Sequence, residues 1–330
     1  MNLKSALRSA AGSRDFWLVL VLIAVLAVFA LVNPLYLSFN NIKNIMFSVS
    51  VSGVMMVGIA ALLISGNMDL SAGAVGCFAT IIGARLMNAG VPWGVAVLAT
   101  VAVGAACGFL NVLMAYKLGI MPFIGTLGIS FVWQGLANQV THNAAVHIEN
   151  ESFWKLGAGK IFDIPVVFIY VALLCALYGL FLKYTRFGRR VYICGGNRFA
   201  ARLAGINHEK VGAIMMVNCS VLSSLAGVIL ASRMHEITPT NLQTTSTMSA
   251  ITAALLGGVA FMGGVGAMKG AFIGLLLLNA FKNGLDMLGM DAYWQIIANG
   301  LLLITAIIVD YINQRSLQNR LNRKVNEVNE

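Results

Sequence analysis

Between Thr185 and Ile206 the chain reads TRFGRRVYICGGNRFAARLAGI, with five arginines and no acid. Such a set is suited to docking rather than to bond-making, because it offers donors and positive charge without a base or a nucleophile beside them. After the flexible Gly195-Gly196 pair, Asn197 can cap a short helix over Arg198–Leu203, which Gly205 can end. Arg198 and Arg202 lie four apart on one face of that helix, with Ala201 between them. A short helix of this kind, offered to the aqueous side of a membrane, is a docking surface for a soluble partner.

Other reactive groups are scarce. The run SGNMDLSAG places Asp69 in apolar sequence, with Asn67 and Ser71 on either side. A charge inside hydrocarbon costs about 2.5–3.5 kcal/mol on the insertion scale, so it should face protein or water. Two readings stand side by side. In one, Asp69 lies on a broken helix whose unwound backbone lines a passage; in the other, Asp69 or Ser71 only caps the helix that follows. A second run, GGVAFMGGVG, has five glycines in ten residues and lets backbone leave helical geometry or lets helices approach closely. Thr126, Ser130 and Gln134 lie on one predicted helix opened by Pro122, and Ser249 and Thr252 on another. Uncharged donors and acceptors suit a neutral polyhydroxylated solute that must bind weakly and leave; bonding between helices is the alternative use of such groups.

No Ser/His/Asp grouping, HExxH string or paired carboxylate occurs. His142 and His147 share a loop with Glu149 and Glu151, His208 lies in the basic segment and His235 adjoins Glu236, all read as surface or satisfied histidines and none as a metal ligand. No GxxxxGK[ST] string is present, so the chain is not expected to hydrolyse ATP by itself, to bind a cofactor or to be an enzyme.

The elements that must position these residues are set by hydropathy. Apolar residues make up 59% of the 330 and charged ones only 10%, against about 25% in a soluble domain. Uncharged runs able to cross a bilayer occur at Phe16–Asn33, Asn44–Met68, Trp93–Tyr116, Ile120–Val140, Ile164–Leu182, Val211–Ser232, Met248–Met268 and Ala292–Val309. Two weaker candidates, Leu70–Met87 and Gly270–Leu288, are richer in glycine or carry one or two charges and bring the total to ten. The predicted fold is all-α, a polytopic membrane protein of about ten transmembrane helices, some broken by glycine. With the N-terminus inside, 16 of the 22 lysines and arginines fall on cytoplasmic segments. Both termini are then cytoplasmic: residues 1–15, the loop 183–210 and the tail 314–330, the last read as a helix extension on the inner surface. The first run lacks an A-x-A cleavage site and reads as an uncleaved span.

A net charge of +10 on scattered loops facing lipid headgroups argues for a bilayer partner and against nucleic acid. Cys77, Cys107, Cys175, Cys194 and Cys219 are placed as small packing residues, not as a disulfide framework. A faint internal repeat relates AALLISGNMDLSAGAVG (Ala60–Gly76) to AALLGGVAFMGGVGAMK (Ala253–Lys269), with Gly73-Ala74 and Gly266-Ala267 at one offset. Paired glycine-interrupted segments point to a transport pathway.

DLSAG, PFIGTLG, TRFGRR…GGN..AARLAGI, GGVAFMGGVG and NGLDMLG, in that order, resemble the motifs of ribose-type ABC transporter permeases, in the branched-chain amino acid and sugar permease group. The resemblance covers about Asn40 to Asp310. It implies a single transmembrane permease domain over 1–330, in a bacterial inner membrane. It also implies a partner ATPase that uses ATP and Mg on the cytoplasmic side, a periplasmic substrate-binding protein, and a second permease copy. On this reading Gly195, Gly196, Asn197, Arg198, Ala201, Arg202 and Gly205 couple to the ATPase, and Asn67, Asp69, Ser71, Thr126, Ser130, Gln134, Ser249 and Thr252 line the pathway. The chain departs from the family where it has SGNMDLSAG for GGIDLSVG, and Thr247-Met248-Ser249 where an acidic pair precedes Ala-Ile. That leaves the sugar or polyol open and keeps a heterodimer beside the homodimer. The rival reading is an ion-coupled secondary transporter or channel for a small polar solute.

Overall fold

The structure is a computed structural model that describes residues 14–242 and 244–329. Lys4 and Arg8, in the segment expected to be cytoplasmic, lie outside the described residues, as do the side chains of Arg320, Arg323 and Lys324 in the tail.

The chain is almost wholly helical because its long uncharged runs satisfy their backbone groups internally. The helices are α1 (Arg14–Val32), α2 (Phe39–Ile64), α3 (Ala72–Asn88), α4 (Trp93–Val112), α5 (Pro122–Thr141), α6 (Glu151–Ala158), α7 (Val166–Tyr184), α8 (Arg186–Gly196), α9 (Arg198–Leu203), α10 (His208–Met234), α11 (Thr244–Leu256), α12 (Met268–Met287) and α13 (Ala292–Asn329). A π-helical turn, Leu113–Lys117, extends α4. Each of the ten runs read as spans holds one helix. Five stretches are long and apolar enough to cross a membrane by length and composition: Phe39–Ile64, Trp93–Lys117, Val166–Tyr184, His208–Met234 and Ala292–Ile312.

Three predicted boundaries need correction. The run Met248–Met268 is not one helix: α11 stops at Leu256, and residues 257–267 form a glycine-rich turn before α12. The run Asn44–Met68 likewise ends as helix at Ile64. Apolar composition alone does not separate a helix from a buried turn, and both errors fall at glycine clusters. At the third boundary, Ile164 and Pro165 pair with Lys160 and Ile161 in a small ribbon, so α7 begins at Val166. The tail runs straight on from α13, helical to Asn329.

At the core, α10 packs against α2, α3 and α4. Small residues allow the close approach: a Cβ on Gly76 would lie 2.4 Å from the Ser223 carbonyl oxygen, and one on Gly104 would lie 1.9 Å from Ser224 Oγ. By contrast α1, α7 and α13 show apolar side chains such as Leu31, Leu173 and Leu301 to the outside, as lipid-facing helices must.

One end of the bundle is closed by a ribbon that pairs Val146–His147 with Glu236–Ile237. His147 Nδ1 lies 3.0 Å from Glu236 Oε2, and His235 stacks on Trp154 at 4.2 Å. His147 therefore finds its partner across the ribbon rather than in Glu149 or Glu151. At the opposite end lie the turns 65–71 and 257–267 together with α8 and α9.

Candidate functional site

The short helix α9 forms over the predicted residues, with Asn197 Oδ1 accepting from the Ala200 N–H at 2.9 Å. It is preceded by α8, whose Thr185 caps its N-terminus through Gly188 at 2.9 Å. α8 turns Gly188, Val191 and Cys194 inward and its arginines outward. Burial pushes the Cys194 thiol up, opposed by the Arg198 charge, so this cysteine is an inert packing group.

The residues that the sequence reading assigns to docking divide by direction. Ala201 is fully buried against the protein, whereas Arg202 is exposed beside Phe199 and Leu203, which are 72% and 75% exposed. Two large apolar side chains four positions apart on a short helix form a ready contact patch. Phe199 and Leu203 were missed in the sequence because each looks like core when read alone. Their 3.6-residue periodicity against buried Ala201 was the available signal.

Arg198 points the other way. Its Nη2 donates to the Gly66 carbonyl oxygen at 2.7 Å. Around this bond three glycine-rich segments meet backbone to backbone. A Cβ on Gly195 would lie 1.9 Å from the Ile64 oxygen and 2.6 Å from the Gly264 nitrogen. The Gly264 N–H itself donates to the Ile64 oxygen at 2.9 Å, and Tyr192 Oη donates to the Gly266 oxygen at 2.8 Å. Gly66 and Gly264 hold φ at +76° and +74°, a left-handed geometry that glycine adopts without a Cβ penalty. The two segments of the faint repeat are thus both helix breaks, and they face one another with Gly195 wedged between.

The break 65–71 is held by an uncharged network around one carboxylate. Asp69 Oδ1 accepts from the Ser71 N–H at 2.7 Å and from Ser71 Oγ at 2.6 Å, while Oδ2 accepts from Asn111 Nδ2 at 3.1 Å. Asn111 Nδ2 also donates to Ser71 Oγ at 2.7 Å. Asn67 Oδ1 accepts from Tyr116 Oη at 3.0 Å, which the π-helical turn brings into reach. The Leu70 N–H donates to Thr126 Oγ1 at 3.0 Å.

Neither Asp69 nor Ser71 makes a side-chain cap on α3; Ser71 stands at the cap position without one. The α3 N-terminus is satisfied instead by Thr247 Oγ1 on α11, which accepts from the Gly73 N–H at 2.8 Å. Sequence reading missed Asn111, Tyr116 and Thr247 as partners. An asparagine inside an apolar span was the one local clue.

The remaining residues expected to line a pathway do not share one cavity. Thr126 and Ser130 are buried on α5, where each also donates to a carbonyl one turn back. Gln134 Nε2 reaches the Pro239 oxygen at 3.0 Å near the ribbon end. Thr252 is buried and donates to the Met248 oxygen at 2.8 Å. Ser249 is half-buried and accepts from Lys282 Nζ at 2.8 Å.

Residues 41–306 match the family model described as branched-chain amino acid transport system / permease component. The chain is 33% identical over 297 residues to the ribose import permease protein of Escherichia coli (strain K12), a match covering 88% of this chain and 92% of that protein. It is 34% identical over 304 residues to the L-arabinose transport system permease protein of the same organism, covering 92% of each. A galactose/methyl galactoside import permease protein of Haemophilus influenzae is 30% identical over 310 residues, covering 88% and 92%. Among solved structures, a metal-chelate type ABC transporter in an inward-facing conformation shares the fold, with a TM-score of 0.52 at 14% identity, covering 91% of this chain and 98% of that one.

Proposed function

The chain belongs to the branched-chain amino acid transport system / permease component family, and from that membership we propose that it is the membrane-spanning permease subunit of a binding-protein-dependent ABC importer for a sugar or related polyol. The relatives named for ribose, L-arabinose and galactose support carbohydrate as the solute class.

In this reading the chain crosses a bacterial inner membrane ten times with both termini in the cytoplasm. A partner ATPase on that side uses ATP and Mg, and this chain binds no cofactor. A periplasmic binding protein delivers the solute to the ribbon end. A second copy completes the passage, since closed two-fold pairs are the commonest oligomers; a non-identical permease in its place is the alternative.

The observation that carries the reading is the build of the segment Gly195–Gly205. α9 offers Phe199, Arg202 and Leu203 outward, while Gly195 and Arg198 bind both helix breaks. A force on α9 would therefore reach Gly66 through the Arg198 guanidinium, and Gly264 through the backbone of Gly195 just before the helix. Packed elements of this kind move as rigid bodies between discrete arrangements. Asn67, Asp69, Ser71, Thr126, Ser130 and Thr252 frame the turns that would rearrange, and Gln134 and Ser249 lie closer to the solute.

Reconstitution in vesicles tests this. Uptake of a labelled monosaccharide should need ATP, the ATPase and the binding protein, and should stop when residues 197–203 become a Gly/Ser linker. Uptake driven by an ion gradient without ATP would establish the secondary-transporter reading instead. Intact-mass measurement of the complex, tagged on this chain alone, counts the permease copies.

A further inference from the structure

Near the ribbon end, α11, α12 and α13 enclose a cleft of about 240 Å³. Its polar lining comes from Thr245, Ser246, Ser249, Lys282, Gln295 and Asn299. Lys282 is set in the penultimate turns of α12, and its Nζ donates to Ser249 Oγ at 2.8 Å. Among the described residues no carboxylate oxygen lies within 4.0 Å of that ammonium. The nearest acid in sequence, Asp286, is one turn further on and has its Oδ1 engaged by Gln295 Nε2. Thr245 and Ser246 add hydroxyls to the same lining, and Asn299 Oδ1 is buried with no hydrogen-bond partner among the described residues.

A half-buried ammonium is costly unless water or an anion completes its shell. Here its hydrogen-bond partner is a neutral hydroxyl, and the Asp286 charge acts on it only from beyond 4.0 Å. Two further hydroxyls in the same cleft can donate, and Asn299 can accept from a solute hydroxyl. We propose that this cleft binds a sugar that carries an anionic group, a carboxylate or a phosphate, with Lys282 as the residue that reads the charge. The inference rests on the importer reading and deepens it by naming the solute's chemical class. The oxyanion would take a charge-assisted hydrogen bond from Lys282, stronger than any the neutral lining can make. Selection would then reside partly in this chain and not only in the delivery protein.

The test uses the full-length protein in lipid nanodiscs and saturation-transfer NMR with three probes at equal concentration: D-glucuronate, D-glucose 6-phosphate and D-glucose. At least one anionic probe should give a signal about fivefold above glucose. Lys282→Met should bring it down to the glucose level, and Lys282→Arg should keep most of it. Comparing the two anionic probes separates carboxylate from phosphate. Equal signals for all three, no signal from any, or an unchanged response in Lys282→Met would overturn the proposal. Uptake in vesicles keeps the two readings apart. Anion binding without ATP-driven uptake would sink the importer reading and leave the cleft, whereas ATP-driven uptake indifferent to probe charge and to Lys282→Met would do the reverse.

Discussion

Arg198 Nη2 and the Gly66 carbonyl oxygen are joined at 2.7 Å across 132 positions of sequence. The bond ties an exposed short helix to the turn that breaks the path from α2 to α3. Removing the guanidinium in Arg198→Ala should leave the protein inserted and lower ATP-coupled uptake about tenfold, the size of one charge-assisted hydrogen bond. Arg202→Ala, which changes an exposed side chain with no bond to either break, should have a smaller effect. Equal losses in the two variants would mean that the Gly66 bond transmits nothing.

Phe199 and Leu203 form the apolar part of the exposed face of α9. Truncating either to alanine should weaken binding of the purified ATPase about tenfold or more, as central interface anchors do. Titration of the ATPase onto the protein in nanodiscs reads this directly. Unchanged affinity in both variants would place the ATPase contact elsewhere.

Gly195 and Gly205 separate crowding from backbone strain. A Cβ at Gly195 meets the Ile64 oxygen at 1.9 Å, whereas one at Gly205 meets nothing within 4 Å but sits at φ +70°. Gly195→Ala should cost about 3 kcal/mol through overpacking, and Gly205→Ala about 1 kcal/mol through strain alone. Thermal unfolding in detergent should rank them in that order, and a larger loss at Gly205 would contradict the close approach of the three glycine segments.

Asp69 accepts three hydrogen bonds and sits 2% exposed. Asp69→Ala strands the Ser71 and Asn111 donors and should destabilise the protein by about 3 kcal/mol. Asp69→Asn keeps one acceptor for Ser71 and should cost less. An ion-coupled transporter with Asp69 as its relay would behave differently: Asp69→Asn would abolish uptake at unchanged stability. Measuring both unfolding and ATP-driven uptake in the same variant decides between them.

Thr247 on α11 caps α3 through the Gly73 N–H. Thr247→Val should lower stability by about 1 kcal/mol, the ordinary worth of a cap. Thr247→Ser should restore most of it. A Val variant as stable as the parent would show that this N–H finds another partner.

Much of the architecture is legible in the chain because a bilayer imposes a one-dimensional rule. An uncharged run of about 20 residues must satisfy its own backbone as helix, so ten runs became ten helices. The segment Arg198–Leu203 was equally legible, since its cap, Asn197 to Ala200, spans three residues. Legibility failed where apolar sequence stops being helix. Met248–Met268 is as hydrophobic as a span, and only the contacts of Gly263 and Gly264 with Gly66, Gly195 and Gly196 explain why α11 ends at Leu256. Asp69 could be read as a cap or as a pathway residue until Asn111 appeared beside it, 42 positions away. Composition and local spacing determined which segments become helices and where the short capped helix Arg198–Leu203 lies. The meeting of Gly66, Gly195 and Gly264, the Thr247 cap on α3 and the cleft around Lys282 were decided only by tertiary structure. Each depends on backbones distant in sequence approaching within hydrogen-bond range, and no local pattern encodes that distance.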